Sequence, residues 1–163
     1  MRVSNPGVEL TEKGRNQARD AARALKDKGI DTILVSPLIR ARQTAEIIAS
    51  ELSISDKNIH KLEILTERQL GEYDDQPRPA NKNYFYEIDE GVGVEKLSDV
   101  TKRAEQALKE VMEFSESSTI LIVGHGILGY FMRQIVAGRN PYEKFDWGQK
   151  IKNCEIVEMK TSD

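Results

Sequence analysis

With 163 residues, 39% of them hydrophobic and 31% charged, the chain is long enough to close one sizeable core without a disulfide or a structural metal. Its single cysteine, Cys154, leaves no intrachain bridge and no cysteine–histidine cluster for zinc, which points to a reducing, cytoplasmic setting. A formal net charge of −3 speaks against a general nucleic-acid binder, no apolar run approaches the roughly 18 residues needed to span a bilayer, and the opening MRVSNPGVEL has no apolar core of a signal peptide.

In chain order, Ala18, Ala21, Ala22 and Leu25 recur at helical spacing between Thr11, placed to cap a helix, and Gly29, placed to end it. The run 31–36 is β-rich, and Ser36-Pro37 reads as a helix start, with serine as N-cap and proline at the first helical position. A helix follows with Leu38, Ala41, Ala45, Ile48 and Leu52 on one stripe. The stretch 59–66 alternates like a strand with one solvated face. From Gly71 to Glu95 prolines and glycines break the pattern, so this is expected to be a long functional loop with one short helix near Tyr84. A third helix is marked by Leu97, Val100, Ala104, Ala107, Leu108 and Val111. The run 119–124 is apolar throughout, as for a strand buried on both faces. A fourth helix covers about 127–136, and 155–159 reads as a closing strand. Alternating strands and helices predict an α/β protein, a single domain over residues 1–163 with helices on both faces of a mostly parallel sheet.

Three stretches fall where strands run out, which is where open α/β sheets place ligands. Arg40 sits in the first turn of the second helix beside the buried stripe, so its guanidinium can turn toward the strand ends and form an anion site. The plainer reading of Arg40 and Arg42 is two solvated helix arginines. His125 follows the most apolar strand and opens a helix between Gly124 and Gly126, placing an imidazole and backbone N–H groups at the sheet edge. A buried histidine bonded to a carbonyl would have the same placement. Glu67, just past a strand end, can serve as a general acid if burial raises its pKa, although a glutamate in such a loop is also an ordinary surface charge. Asp74-Asp75 reads as a solvated turn rather than a magnesium site, so no metal or other cofactor is expected.

Together these stretches resemble the histidine phosphatase (phosphoglycerate mutase-like) superfamily. SPLIRARQTAE resembles its S-P-x-x-R-A-x-Q-T-A motif, LTERQLGE its L-x-E-x-x-x-G segment, and VGHGILGYFMR its second-histidine motif. NPGVELTEKGRNQA resembles the L-T-x-x-G-x-x-Q-A opening helix, and the run 95–103 is similar to E-S-x-x-D-V-x-x-R, with Lys96 where serine is usual. The resemblance implies a three-layer α/β/α sandwich and a phosphoric monoester hydrolase or phosphomutase. It gives Arg40, His125 and Gly126 to phosphate binding, and Glu67 to protonation of the leaving oxygen. The implied partner is a phosphorylated small molecule or phosphoprotein, with neither nucleic acid nor membrane. The chain is more similar to the compact phosphatase branch, since mutases of the family usually carry a longer insertion after the acid.

One part of the pattern is missing. The family's nucleophile is a histidine in an Arg-His-Gly motif at the end of a first strand, and that motif occurs nowhere here. The other histidine, His60, is placed at the beginning of a strand, away from the active ends, and reads as a surface residue. The missing strand is expected to lie beside those ending at Ser36 and Gly124 and to leave apolar edges unpaired. Three readings stay open. The favoured one is an incomplete stretch of an active phosphomonoesterase, inactive as it stands, because five motifs are intact and a pocket without use has no chemical reason to keep its arginine, histidine and acid. The second is a non-catalytic phosphoanion-binding or interaction domain. The third, an unrelated nucleotide-binding domain, is opposed by the lack of G-x-G-x-x-G and G-x-x-x-x-G-K-[ST].

Overall fold

A computed structural model describes residues 7–74, 88–114, 119–141 and 151–160. Its elements follow as α1 (Glu12–Leu25), β1 (Ile30–Val35), α2 (Ile39–Leu52), β2 (Ile59–Lys61), α3 (Leu97–Glu113), β3 (Thr119–Val123) and α4 (Gly126–Val136). The sheet order is β2-β1-β3 with both pairings parallel, so all three strands deliver their C-terminal ends to one edge. Helices cover both faces, as expected.

The central strand is β1, and its period-2 alternation sorts the two cores. Ile33 and Val35 face a layer built from Ala21, Ala22 and Leu25 of α1 and Ala41, Ala45, Ile48 and Ala49 of α2. Leu34 faces the opposite layer of Leu97, Val100, Ala104 and Ala107 from α3 with Ile127, Leu128, Tyr130, Phe131 and Met132 from α4. Helix α1 starts where Thr11 Oγ1 accepts from the Gly14 amide at 3.2 Å, an N-cap of the expected kind.

Four sequence expectations are corrected. The strand expected over 59–66 stops at Lys61 and is followed by a 3₁₀ turn over Glu63–Leu65. Two carbonyls that would have joined a longer ladder, those of Ile64 and Thr66, accept instead from Arg103 at 2.9 and 2.7 Å. Strand β3 is not buried on both faces: Thr119 is exposed, residues 120–122 are half-buried and only Val123 is buried, because among the described residues its edge away from β1 carries no strand. For the same reason 155–159 is not a strand among the described residues. A strand needs a neighbour's ladder, whereas here the chain turns at Cys154 (φ 55°) and the Lys152 amide donates to Glu155 Oε2 at 2.6 Å. Finally, the strand expected beside both β1 and β3 has no place between them, since those two are hydrogen-bonded neighbours. The segment 75–87, with Arg78, Lys82 and the short helix expected near Tyr84, lies outside the described residues.

Candidate active site

The turn from β1 into α2 places the first two groups. The helix starts at Ile39 with Leu38 as its N-cap, two residues later than Ser36-Pro37 suggested, because Ser36 is occupied elsewhere. Ser36 is fully buried, and its amide donates to the Val123 carbonyl of β3 at 3.0 Å. Its Oγ accepts from the Leu38 amide at 3.3 Å and lies 2.7 Å from His125 Nε2. Leu38, only 6% exposed, anchors the turn, and Arg40 leaves the first helical turn toward the sheet edge. There Nη2 of Arg40 stands 3.3 Å from His125 Nδ1.

An arginine carries only donors, so Arg40 donates to Nδ1. The remaining ring proton is then on Nε2, donated to Ser36 Oγ. Both nitrogens of the neutral imidazole are thereby engaged. Burial lowers the His125 pKa from 6.5 to about 3, with the Arg40 and Arg103 charges acting in the same direction. The ring is uncharged across the physiological range.

Glu67 enters from the connection after β2 and is 5% exposed. Its Oε1 accepts from the Arg68 amide at 2.9 Å and the Leu128 amide at 3.4 Å, and its Oε2 accepts from the Ile127 amide at 3.4 Å. The carboxyl group thus sits at the N-terminus of α4, where amides without helical partners and the helix dipole favour anions. Burial nevertheless raises the Glu67 pKa above its ordinary value, outweighing the amides of Arg68, Ile127 and Leu128 and the charge of Arg40, which pull it down. Burial lowers the Arg40 pKa and Glu67 opposes that shift. A guanidinium positioned by a neutral imidazole can offset the charge of a phosphoryl group, and a carboxyl group with a raised pKa can deliver a proton to its ester oxygen.

Two arginines, Arg68 buried and Arg103 half-buried, hold this carboxyl group in place. Arg68, fully buried, donates from Nε to the Glu95 carbonyl at 2.8 Å and from Nη2 to the Ile88 carbonyl at 2.7 Å and Asp89 Oδ1 at 3.1 Å. Arg103 of α3 forks onto Glu95 at 2.7 and 2.8 Å while binding the Ile64 and Thr66 carbonyls just before Glu67. An isolated antiparallel bridge between Leu70 and Val94 and the Glu72 amide bonded to the Val92 carbonyl at 3.0 Å close the neck of the long connection. Gly71 is required here. Its φ is +54°, and a Cβ would strike the Val92 carbonyl and Gly93.

Arg40, Glu67 and His125, widely separated in sequence, therefore meet at the edge where β1 and β3 end, with Gly126 as the first residue of α4. Arg42 is exposed, in keeping with a solvated helix arginine. His60 pairs with Leu34 in β2 and is half-buried rather than surface, its ring 4.9 Å from Phe114. Among the described residues no group of three or more histidine, cysteine, aspartate and glutamate side chains could hold a metal ion. Sequence reasoning missed Ser36, whose serine-proline context resembles a cap, and Arg68, which reads as an ordinary loop arginine. Glu95 and Arg103 were visible as the two ends of one motif, but not as a clamp on the acid.

A match to the histidine phosphatase superfamily (branch 1) spans residues 2–163. The chain belongs to that superfamily. It is 31% identical over 155 residues to a probable phosphoglycerate mutase, GpmB, of Erwinia tasmaniensis, covering 90% of this chain and 71% of that protein. It is 30% identical over 135 residues to the uncharacterized phosphatase PhoE of Bacillus subtilis, covering 82% and 67%. The fold is shared with the α-ribazole phosphatase of Shigella flexneri, at a TM-score of 0.74 and 21% identity over 89% of this chain and 74% of that one.

Proposed function

We propose that residues 1–163 form one domain that seats the phosphoryl group of a phosphomonoester against Arg40, His125 and the amides opening α4 at Gly126, with Glu67 as the acid that protonates the leaving oxygen. The observation that carries this reading is the convergence of those three side chains, with Arg40 Nη2 3.3 Å from His125 and the Glu67 carboxyl on the first turn of α4. The activity that fits is phosphomonoester hydrolysis through a phosphohistidine. In it the P–O ester bond breaks as a P–N bond forms, and Glu67 gives its proton to the departing oxygen. Water then attacks the phosphorus, the P–N bond breaks to release phosphate, and Glu67 takes back the proton that the water loses. Phosphoryl transfer needs mainly positioning and charge neutralisation from the protein, which supports this pocket without calling on further covalent groups.

The in-line imidazole is the group these residues do not supply. His125 has both ring nitrogens engaged, and His60 lies on β2 against Phe114. The chain as given is therefore expected to bind phosphate without turning it over. The same engagement of His125 favours, as a second reading, a domain that holds a phosphorylated ligand and performs no chemistry. The ligand class is a phosphorylated small molecule or phosphoprotein, with hydrolysis preferred over a mutase reaction, and the single thiol supports a cytoplasmic setting.

Calorimetric titration with inorganic phosphate tests the pocket. Binding is expected, weakened on the order of 10- to 100-fold in Arg40→Ala, the loss associated with one charged hydrogen-bond donor. Equal affinity of wild type and variant would overturn the assignment. Hydrolysis of p-nitrophenyl phosphate by the His125→Ala variant would overturn both readings.

A further inference from the structure

Among the described residues Ser36 is the one fully buried hydroxyl at the pocket, the first residue past β1 on the turn into α2, and the chemistry above assigns it no part. Its surroundings leave little freedom. The Leu38 amide already donates to Oγ at 3.3 Å, and the Ser36 amide is pinned to the Val123 carbonyl, two residues before His125. The opposite ring edge faces a guanidinium that can only donate, so Nδ1 accepts and the hydroxyl, 2.7 Å from Nε2, is left to accept the Nε2 proton.

Building on the phosphate-binding reading, we propose that Ser36 is a positioning residue that holds His125 as the Nε2–H tautomer, so that the Nδ1 lone pair aims Arg40 at the phosphoryl seat. A histidine's tautomer is set by the bond its other nitrogen makes. If Nδ1 carried the proton, it would meet the Arg40 N–H head-on, donor against donor, and the guanidinium would have to swing away. Ser36 thus acts on the anion through two others, by giving the buried Nε2 proton the acceptor that this tautomer needs. Glu67, Arg40 and Arg103 are the charged groups that act electrostatically on this pair.

Nitrogen-15 NMR of the histidine rings tests this directly at pH 7, with His125→Gln used to assign the signal. The expected spectrum has His125 Nδ1 unprotonated and Nε2 protonated in the wild type, shifting toward the Nδ1–H form or a mixture in Ser36→Ala. Inorganic phosphate should bind Ser36→Ala about fivefold more weakly, the effect of one ordinary hydrogen bond. Ser36→Thr keeps the hydroxyl and should restore the Nε2–H signature. A wild-type spectrum with Nδ1 protonated overturns the proposal even if Ser36→Ala fails to fold, and so does a folded Ser36→Ala with unchanged ring shifts. Wild-type protein with the expected tautomer but no phosphate affinity would instead sink the pocket reading and leave the tautomer assignment standing.

Discussion

Glu67 and His125 both lie within electrostatic reach of Arg40, and burial acts on them in opposite senses, raising the carboxyl and lowering the imidazole. Both are pushed toward the uncharged form, leaving Arg40 as the cation that an incoming phosphate meets. Substituting Glu67→Gln keeps one carbonyl oxygen for the Arg68 and Leu128 amides that share Oε1, gives up the 3.4 Å bond from Ile127 to Oε2 and removes the transferable proton. Its melting temperature is expected to stay close to the wild type and phosphate binding to persist. In any form of the enzyme competent for turnover, kcat is expected to fall on the order of 100-fold or more, as for loss of a general acid. At this scale the sequence was readable where side-chain type and motif coincide: Arg40, Glu67 and His125 lie together as expected. Ser36 was not, because a serine before proline carries the same local signal whether its hydroxyl caps a helix or holds a ring 89 positions away in sequence.

Between elements, the acid depends on arginines that never reach the pocket. Arg68→Met removes a buried cation and leaves the carbonyls of Ile88 and Glu95 without that donor, while Asp89 Oδ1 keeps only the Leu97 amide at 2.6 Å. Chemical denaturation is expected to show a loss of about 3–5 kcal/mol, the range for breaking a buried charged network from one side. By contrast Arg23→Ala, which breaks the exposed Asp20–Arg23 pair at 2.6 Å, should change stability by less than about 1 kcal/mol. Helices α1 to α3 were legible from apolar spacing, since each buries one stripe, whereas α4 buries a broad face. The strands were less so. Alternation over 59–66 was genuine, but Arg103 took the carbonyls beyond the start of that run, and a guanidinium arriving from α3 leaves no trace in local pattern. The apolar run at 155–159 likewise says that a strand would suit the residues, not that a neighbour exists to pair with them.

For the molecule as a whole, the two shifted groups give the stability curve a shape. His125 titrates near 6.5 when unfolded and near 3 when folded, so between those values the unfolded chain binds more protons. The stability it contributes is complete above about pH 6.5 and is lost as pH falls toward 3, with a slope of at most about 1.4 kcal/mol per pH unit. Glu67 runs the other way: its folded pKa is raised above 4.5, so its contribution is present in acid and lost as pH rises through the folded value. Urea unfolding of His125→Gln against wild type from pH 4 to 8 should isolate the first effect as a difference that changes below pH 6.5 and is flat above it. A difference flat throughout would mean that the ring titrates as it does in water.

The neck formed by Leu70, Val94, Gly71 and the buried Arg68 has a consequence for how such a protein can diversify. Because its two ends are already joined, the chain between them can lengthen with only a logarithmic entropic toll. Six added Gly/Ser residues between positions 75 and 87 should cost no more than about 0.3 kcal/mol by that scaling. The segment between is in effect a cassette, exchangeable without disturbing the Glu67 carboxyl at its base.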